Sequence, residues 1–164
     1  WDAENASLVA ESLRVLSDKQ TLEDFGHFDY AETLAGQAHV NAQHSEAFTP
    51  QLLNYDLSGV VSFQKGCYTG QEVVARMHYR AKAKKRLFLL LAEGPTDATN
   101  NGAEIALVQQ DQQIKAQVLH RSRGPGNSIA MLAILPIAWG NIEEPLLLVQ
   151  DPTVELTVKA LIYT

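Results

Sequence analysis

From Leu87 onward the chain alternates short apolar runs with turn residues. Leu87–Leu91 is a continuous apolar run, and Glu93–Gly102 is rich in Pro, Thr, Asn and Gly. Ile105–Val108 and Ile114–Leu119 flank the polar Gln109–Gln112, the pattern of a hairpin. Ser122–Asn127 is a Gly/Pro-rich loop, and Ile129–Ile137, Leu146–Val149 and Val154–Ile162 are further strand candidates. Val154, Leu156, Val158 and Ala160 alternate with polar or charged neighbours, so one face of that strand is predicted to be buried. Short, closely spaced strands with turn signals predict a small antiparallel barrel or sandwich of about six strands.

Before Leu87 the periodicity changes. Ala6, Val9, Leu13 and Leu16 recur at three- and four-residue intervals and predict an amphipathic helix over Ser7–Ser17. Leu22, Phe25, Phe28 and Tyr30 follow irregularly, and Ala35-Gly36 reads as a turn or helix end. Gln37–Gln51 is polar and predicts a long surface loop. Gly59–Phe63 is a short apolar run and predicts a buried strand. It feeds into Lys65-Gly66-Cys67-Tyr68-Thr69-Gly70-Gln71-Glu72, which holds the only cysteine. Thr69 and Glu72 have the spacing of a capping box, predicting a helix from Gly70 towards Arg80. The fold class is therefore α+β, with a boundary near Ala81–Lys85 that divides residues 1–82 from 83–164.

Charge sharpens this division. The net charge of −6 conceals −8 over residues 1–56, +6 over residues 57–92 and −4 over residues 93–164. The basic stretch Arg76–Arg86 could meet phosphates or an anionic cofactor tail, or serve as a solvated helix end. A single cysteine rules out an intrachain disulfide and suits a reducing cytoplasmic setting. No apolar run has the length of a membrane span, and no secretory signal is visible. The chain begins with Trp1, which suggests a fragment.

The candidate chemistry centres on Cys67. A cysteine just outside the positive end of a helix, two residues from Lys65, favours its thiolate form. The five histidines and one cysteine make no zinc signature, and one thiolate cannot build a four-cysteine iron–sulfur site. No Gly-rich nucleotide loop or nucleophile elbow is present. Nothing in the spacing singles out a histidine as a base for Cys67.

The run Phe48-Thr49-Pro50-Gln51, Asn54 and Gly59 through Arg76, centred on Lys-Gly-Cys-Tyr-x-Gly-Gln-Glu, resembles the YgfZ family. These are folate-binding proteins implicated in tRNA modification and iron–sulfur protein maintenance, related to the glycine-cleavage T-protein aminomethyltransferase. The resemblance implies the back half of a T-protein-like folate-binding domain over residues 1–82, followed by an antiparallel barrel over 83–164. It also implies that this chain is the C-terminal portion of a longer protein. Cys67 matches the family's functional cysteine, with Lys65, Gly66, Tyr68, Thr69, Gly70, Gln71, Glu72 and Arg76 as signature and support. Tyr30, upstream of Ala35-Gly36, matches an aromatic that contacts folate. Leu34 and Ala38 depart from the arginine and proline usual in the family, removing a cation for the folate tail.

The expected function is a folate-binding accessory role in tRNA methylthiolation alongside iron–sulfur tRNA-modifying enzymes, with tetrahydrofolate as cofactor and Arg76–Arg86 as a tRNA contact. No metal ligand is assigned. Cys67 is expected at the mouth of a folate-type cleft. A folate-dependent aminomethyltransferase and a nucleic-acid-binding barrel are the alternatives; the barrel's acidity and few aromatics weigh against the second.

Overall fold

The computed structural model describes residues 25–79, 83–94, 104–109, 112–140, 142–159 and 161. The expected helix over Ser7–Ser17 lies outside the described residues. Among the described residues two α-helices, α1 (Phe25–Leu34) and α2 (Gln71–Tyr79), precede six strands. The strands are β1 (Lys85–Glu93), β2 (Glu104–Gln109), β3 (Gln112–Arg123), β4 (Ser128–Pro136), β5 (Leu146–Leu148) and β6 (Asp151–Lys159). They close into an antiparallel barrel in the order β1-β4-β3-β2-β5-β6. All six apolar runs beyond Leu87 became strands.

The two-residue period of the strands separates two cores. Leu90, Ala92, Ile105, Leu107, Val118, Met131, Leu156 and their neighbours point into the barrel and fill it. Small barrels are filled by side chains, not hollow. The intervening residues Leu87 and Leu89 of β1, and Ala130, Leu132 and Ile134 of β4, point outward. They are covered by Tyr30 and Leu34 of α1 and by Leu53, giving a second apolar layer outside the barrel. Both faces of β1 and β4 are therefore dry, which explains why these strands read as continuous apolar runs.

Polar clamps fix this outer layer. Asn54, held at a left-handed φ of 57°, donates from Nδ2 to the Leu87 carbonyl at 2.8 Å. Arg86 makes a bidentate pair with Asp56, both contacts 2.9 Å, and also donates to the Gln51 carbonyl at 3.2 Å. On α1, His120 Nε2 of β3 lies 2.8 Å from Asp29 Oδ1, and Ser122 donates to Thr33 Oγ1 at 2.8 Å.

Two expectations need correction. Gly59–Phe63 is not a buried strand: it runs through turns, and Val60 is 65% exposed. The barrel is closed and offers no free edge to pair with, while Gly59 takes φ +78° and Val61 N–H bonds back to the Tyr55 carbonyl. The segment Gln37–Gln51 is not a wholly surface loop, since it holds the 3-10 turn Ala42–His44 and buries His44 and Gln51. Its register is held by Tyr55, which donates to the Ala38 carbonyl at 2.7 Å and whose hydroxyl pKa is raised by burial.

Candidate functional site

The signature residues form the approach to α2. Lys65 through Gly70 are all exposed, and Cys67 is a free, exposed thiol. Gly70 adopts φ +87°, a conformation that glycine takes without strain, and turns the chain into the helix. The cap differs from the expected Thr69–Glu72 box. Gln71 Oε1 accepts from the Tyr68 N–H at 3.1 Å, and Gln71 N–H donates to the Tyr68 carbonyl at 3.3 Å. The reach-back therefore comes one residue earlier, from an amide. Glu72 keeps its place in the first turn, and Arg76 and His78 lie in the last, an arrangement that complements the helix dipole.

No residue of α2 is buried. The helix is held by Gln51, whose Nε2 donates to the Val74 carbonyl at 2.8 Å, and by Phe63, whose ring stacks on His78 at 3.7 Å. Tyr79 meets both rings edge-on, at 6.2 Å from Phe63 and 4.7 Å from His78, and is itself 70% exposed. Glu72, Ala75, Arg76 and Tyr79 line one shallow hollow of about 280 Å³. Exposed aromatics beside an arginine can stack on a base and neutralise a phosphate.

Tyr30 lies elsewhere. The residue is 8% exposed and belongs to the outer apolar layer. It passes over Gly124, where a methyl group would overlap the ring. Tyr30 also lines a groove of about 600 Å³ with Leu91, Glu93, Ser128, Glu155 and Lys159. None of Lys65–Glu72 lines that groove. With the residue this enclosed, Tyr30 offers no broad stacking face to a ligand.

The basic stretch divides on inspection. Lys84 and Lys85 are exposed, while Arg86 is committed to Asp56, of which only 6% is exposed, so Arg86 serves the fold. Arg80 and Lys82 lie outside the described residues. Among the described residues no group of three or more His, Cys, Asp or Glu could hold a metal. No described helix is long and apolar enough to cross a membrane.

Sequence reasoning missed the Asp29–His120, Thr33–Ser122 and Asp56–Arg86 pairs. Their partners stand 91, 89 and 30 residues apart, and no local spacing signals such contacts.

Sequence comparison adds a lineage. The chain is 33% identical over 155 residues to the tRNA-modifying protein YgfZ of Pectobacterium atrosepticum, covering 94% of this chain and 46% of that protein. It is 41% identical over 81 residues to the tRNA-modifying protein YgfZ of Pectobacterium carotovorum, covering 49% of this chain and 24% of that protein. The chain thus spans under half the length of the relatives it matches. No family model matches it.

Proposed function

The chain belongs to the YgfZ family, and on that premise we propose that it forms part of an accessory protein of tRNA modification. The observation that carries this reading is the exposed Cys67, set in its signature at the approach to a helix that buries nothing. A structural cysteine is usually enclosed as a small apolar residue. An exposed thiol beside Lys65 is accessible to a partner and has a cation at hand for an anionic group.

In this reading Cys67 is the reactive residue, supported by Lys65, Gly66, Tyr68, Thr69, Gly70, Gln71 and Glu72. Arg76, Lys84 and Lys85 face an RNA or an RNA-bound iron–sulfur enzyme, with Tyr79 offering a ring to a splayed base. Folate is the proposed small-molecule ligand, with Tyr30 at its groove. The resemblance supports folate, and the groove's carboxylates suit the N–H donors of such a ligand. Residues 1–82 form the folate-side unit, residues 83–164 form the barrel unit, and the setting is cytoplasmic.

Nucleoside mass spectrometry of tRNA from cells lacking the gene tests the reading. Loss of methylthio nucleosides, restored by the wild-type gene and not by Cys67→Ser, is the expected result. Intact methylthio nucleosides in the deletion strain would overturn it. For folate, Tyr30→Ala in the complete protein is expected to weaken tetrahydrofolate binding, and an unchanged Kd would leave Tyr30 a packing residue.

A further inference from the structure

One face of α2 carries a hollow that packing does not explain. Glu72, Ala75, Arg76 and Tyr79 recur at helical spacing and line a space of about 280 Å³. None of them is buried, so the stripe covers no core. Glu72 stands four residues before Arg76, the favourable order for an ion pair on a helix. No such pair forms: among the described residues no ion pair includes either side chain. The small Ala75 between them leaves the floor of the hollow open.

The walls of the hollow differ in chemistry. Tyr79 ends the Phe63–His78–Tyr79 ring cluster. With 70% of the residue exposed, ring surface remains for a further flat group. Charge points to the kind of partner. Residues 57–92 hold seven bases and one acid, and that acid is Glu72. A segment of this sign attracts a polyanion. The helix dipole accounts for an acid in the first turn. Set in the hollow beside Arg76, however, Glu72 repels a phosphate and needs a hydrogen-bond donor instead. One small space thus offers a ring, a cation and an acceptor, the three groups that a nucleotide with a donor edge can use together.

We propose that this hollow holds one splayed guanine of a single-stranded RNA segment, with its ring on Tyr79, its Watson–Crick edge at Glu72 and its phosphate at Arg76. An ionised carboxylate only accepts hydrogen bonds. Guanine presents two adjacent donors, N1–H and N2–H, which the two carboxylate oxygens take in parallel. Adenine, cytosine and uracil each set an acceptor beside their donor, and a carboxylate repels it. In a duplex the same edge is already paired, so the hollow selects an unpaired base. The inference rests on the RNA-facing reading of Arg76 and Tyr79 given above, and adds the base they present to Glu72.

Fluorescence anisotropy of the full chain tests it with the labelled RNA pentamers UUGUU, UUAUU and UUIUU, where inosine (I) is guanine without its N2 amino group. UUGUU is expected to bind about fivefold or more tighter than UUAUU, with UUIUU between them. Glu72→Gln leaves the Gln71 cap in place and is expected to bring the three within about twofold of one another. Arg76→Ala is expected to weaken all three alike and to lower the salt slope by about one. Tyr79→Ala is expected to weaken all three about fivefold, with Tyr79→Phe close to wild type. RNA binding without a guanine preference, or a preference that survives Glu72→Gln, would overturn the inference and leave the RNA-facing reading of this helix standing. Absence of binding to every pentamer, with methylthio nucleosides still lost in the deletion strain, would overturn it too and give the hollow to a protein partner.

Discussion

Leu90, Leu107, Leu132 and Leu156 of the barrel are closed off from water, whereas Val60, Tyr68, Val73 and Tyr79 of the preceding segment are all exposed. Both stretches have ordinary shares of apolar residues, yet only one uses them as a core. The barrel gains its stability from two dry layers on β1 and β4. Among the described residues, the segment around Cys67 is held by the Gln51–Val74 hydrogen bond, the Phe63–His78–Tyr79 ring contacts and the Gln71 cap. An exposed residue on a lightly held element can be replaced without loss of the fold, because little burial depends on it.

This contrast can be broken at its strongest point first. Leu132→Ala, at a fully buried position where outer layer and barrel meet, is expected to cost about 3 kcal/mol or more of unfolding free energy, read by denaturant titration. A cost near zero would mean that the outer layer is not a core. Arg86→Ala strands the Asp56 carboxylate, and the expected loss is about 3 kcal/mol, with a partial return in the Arg86→Ala/Asp56→Ala double variant. Equal stability of the single variant would return Arg86 to the group of solvent-facing bases.

Gly124→Ala places a methyl against the Tyr30 ring and is expected to cost about 1–3 kcal/mol. Pairing it with Tyr30→Ala should recover part of that loss, and strict additivity would show that the two do not touch. At the small end, Val73→Ala and Cys67→Ser are each expected to leave stability within about 0.5 kcal/mol of wild type. A large drop in Tm for either would show that α2 is covered in the working protein. Cys67→Ser is nonetheless expected to abolish complementation, which would separate activity from stability most directly.

Much of this molecule was legible from short-range pattern. The six apolar runs from Leu87 to Ile162 foretold six strands, because a two-residue period and turn chemistry are local properties. Alternation at Val154, Leu156 and Val158 even foretold which face of β6 is buried. The helix after Gly70 followed from glycine and cap residues close in sequence, although Gln71 and not Glu72 makes the reach-back. Gly59–Phe63 misled because an apolar run does not carry the information of whether a strand edge is free to receive it.

The sequence by itself determined the strand set, the helix that follows Cys67, the segregation of charge and the signature that carries the resemblance. Each depends on residues a few positions apart, where backbone sterics and side-chain period act directly. Only the tertiary structure decided that Arg86 pairs with Asp56, that Tyr30 is wedged over Gly124, and that His120 of β3 meets Asp29 of α1. Those relations join residues between 30 and 94 positions apart, and they exist because closing the barrel fixes one register and one covering layer out of many that the local pattern allows.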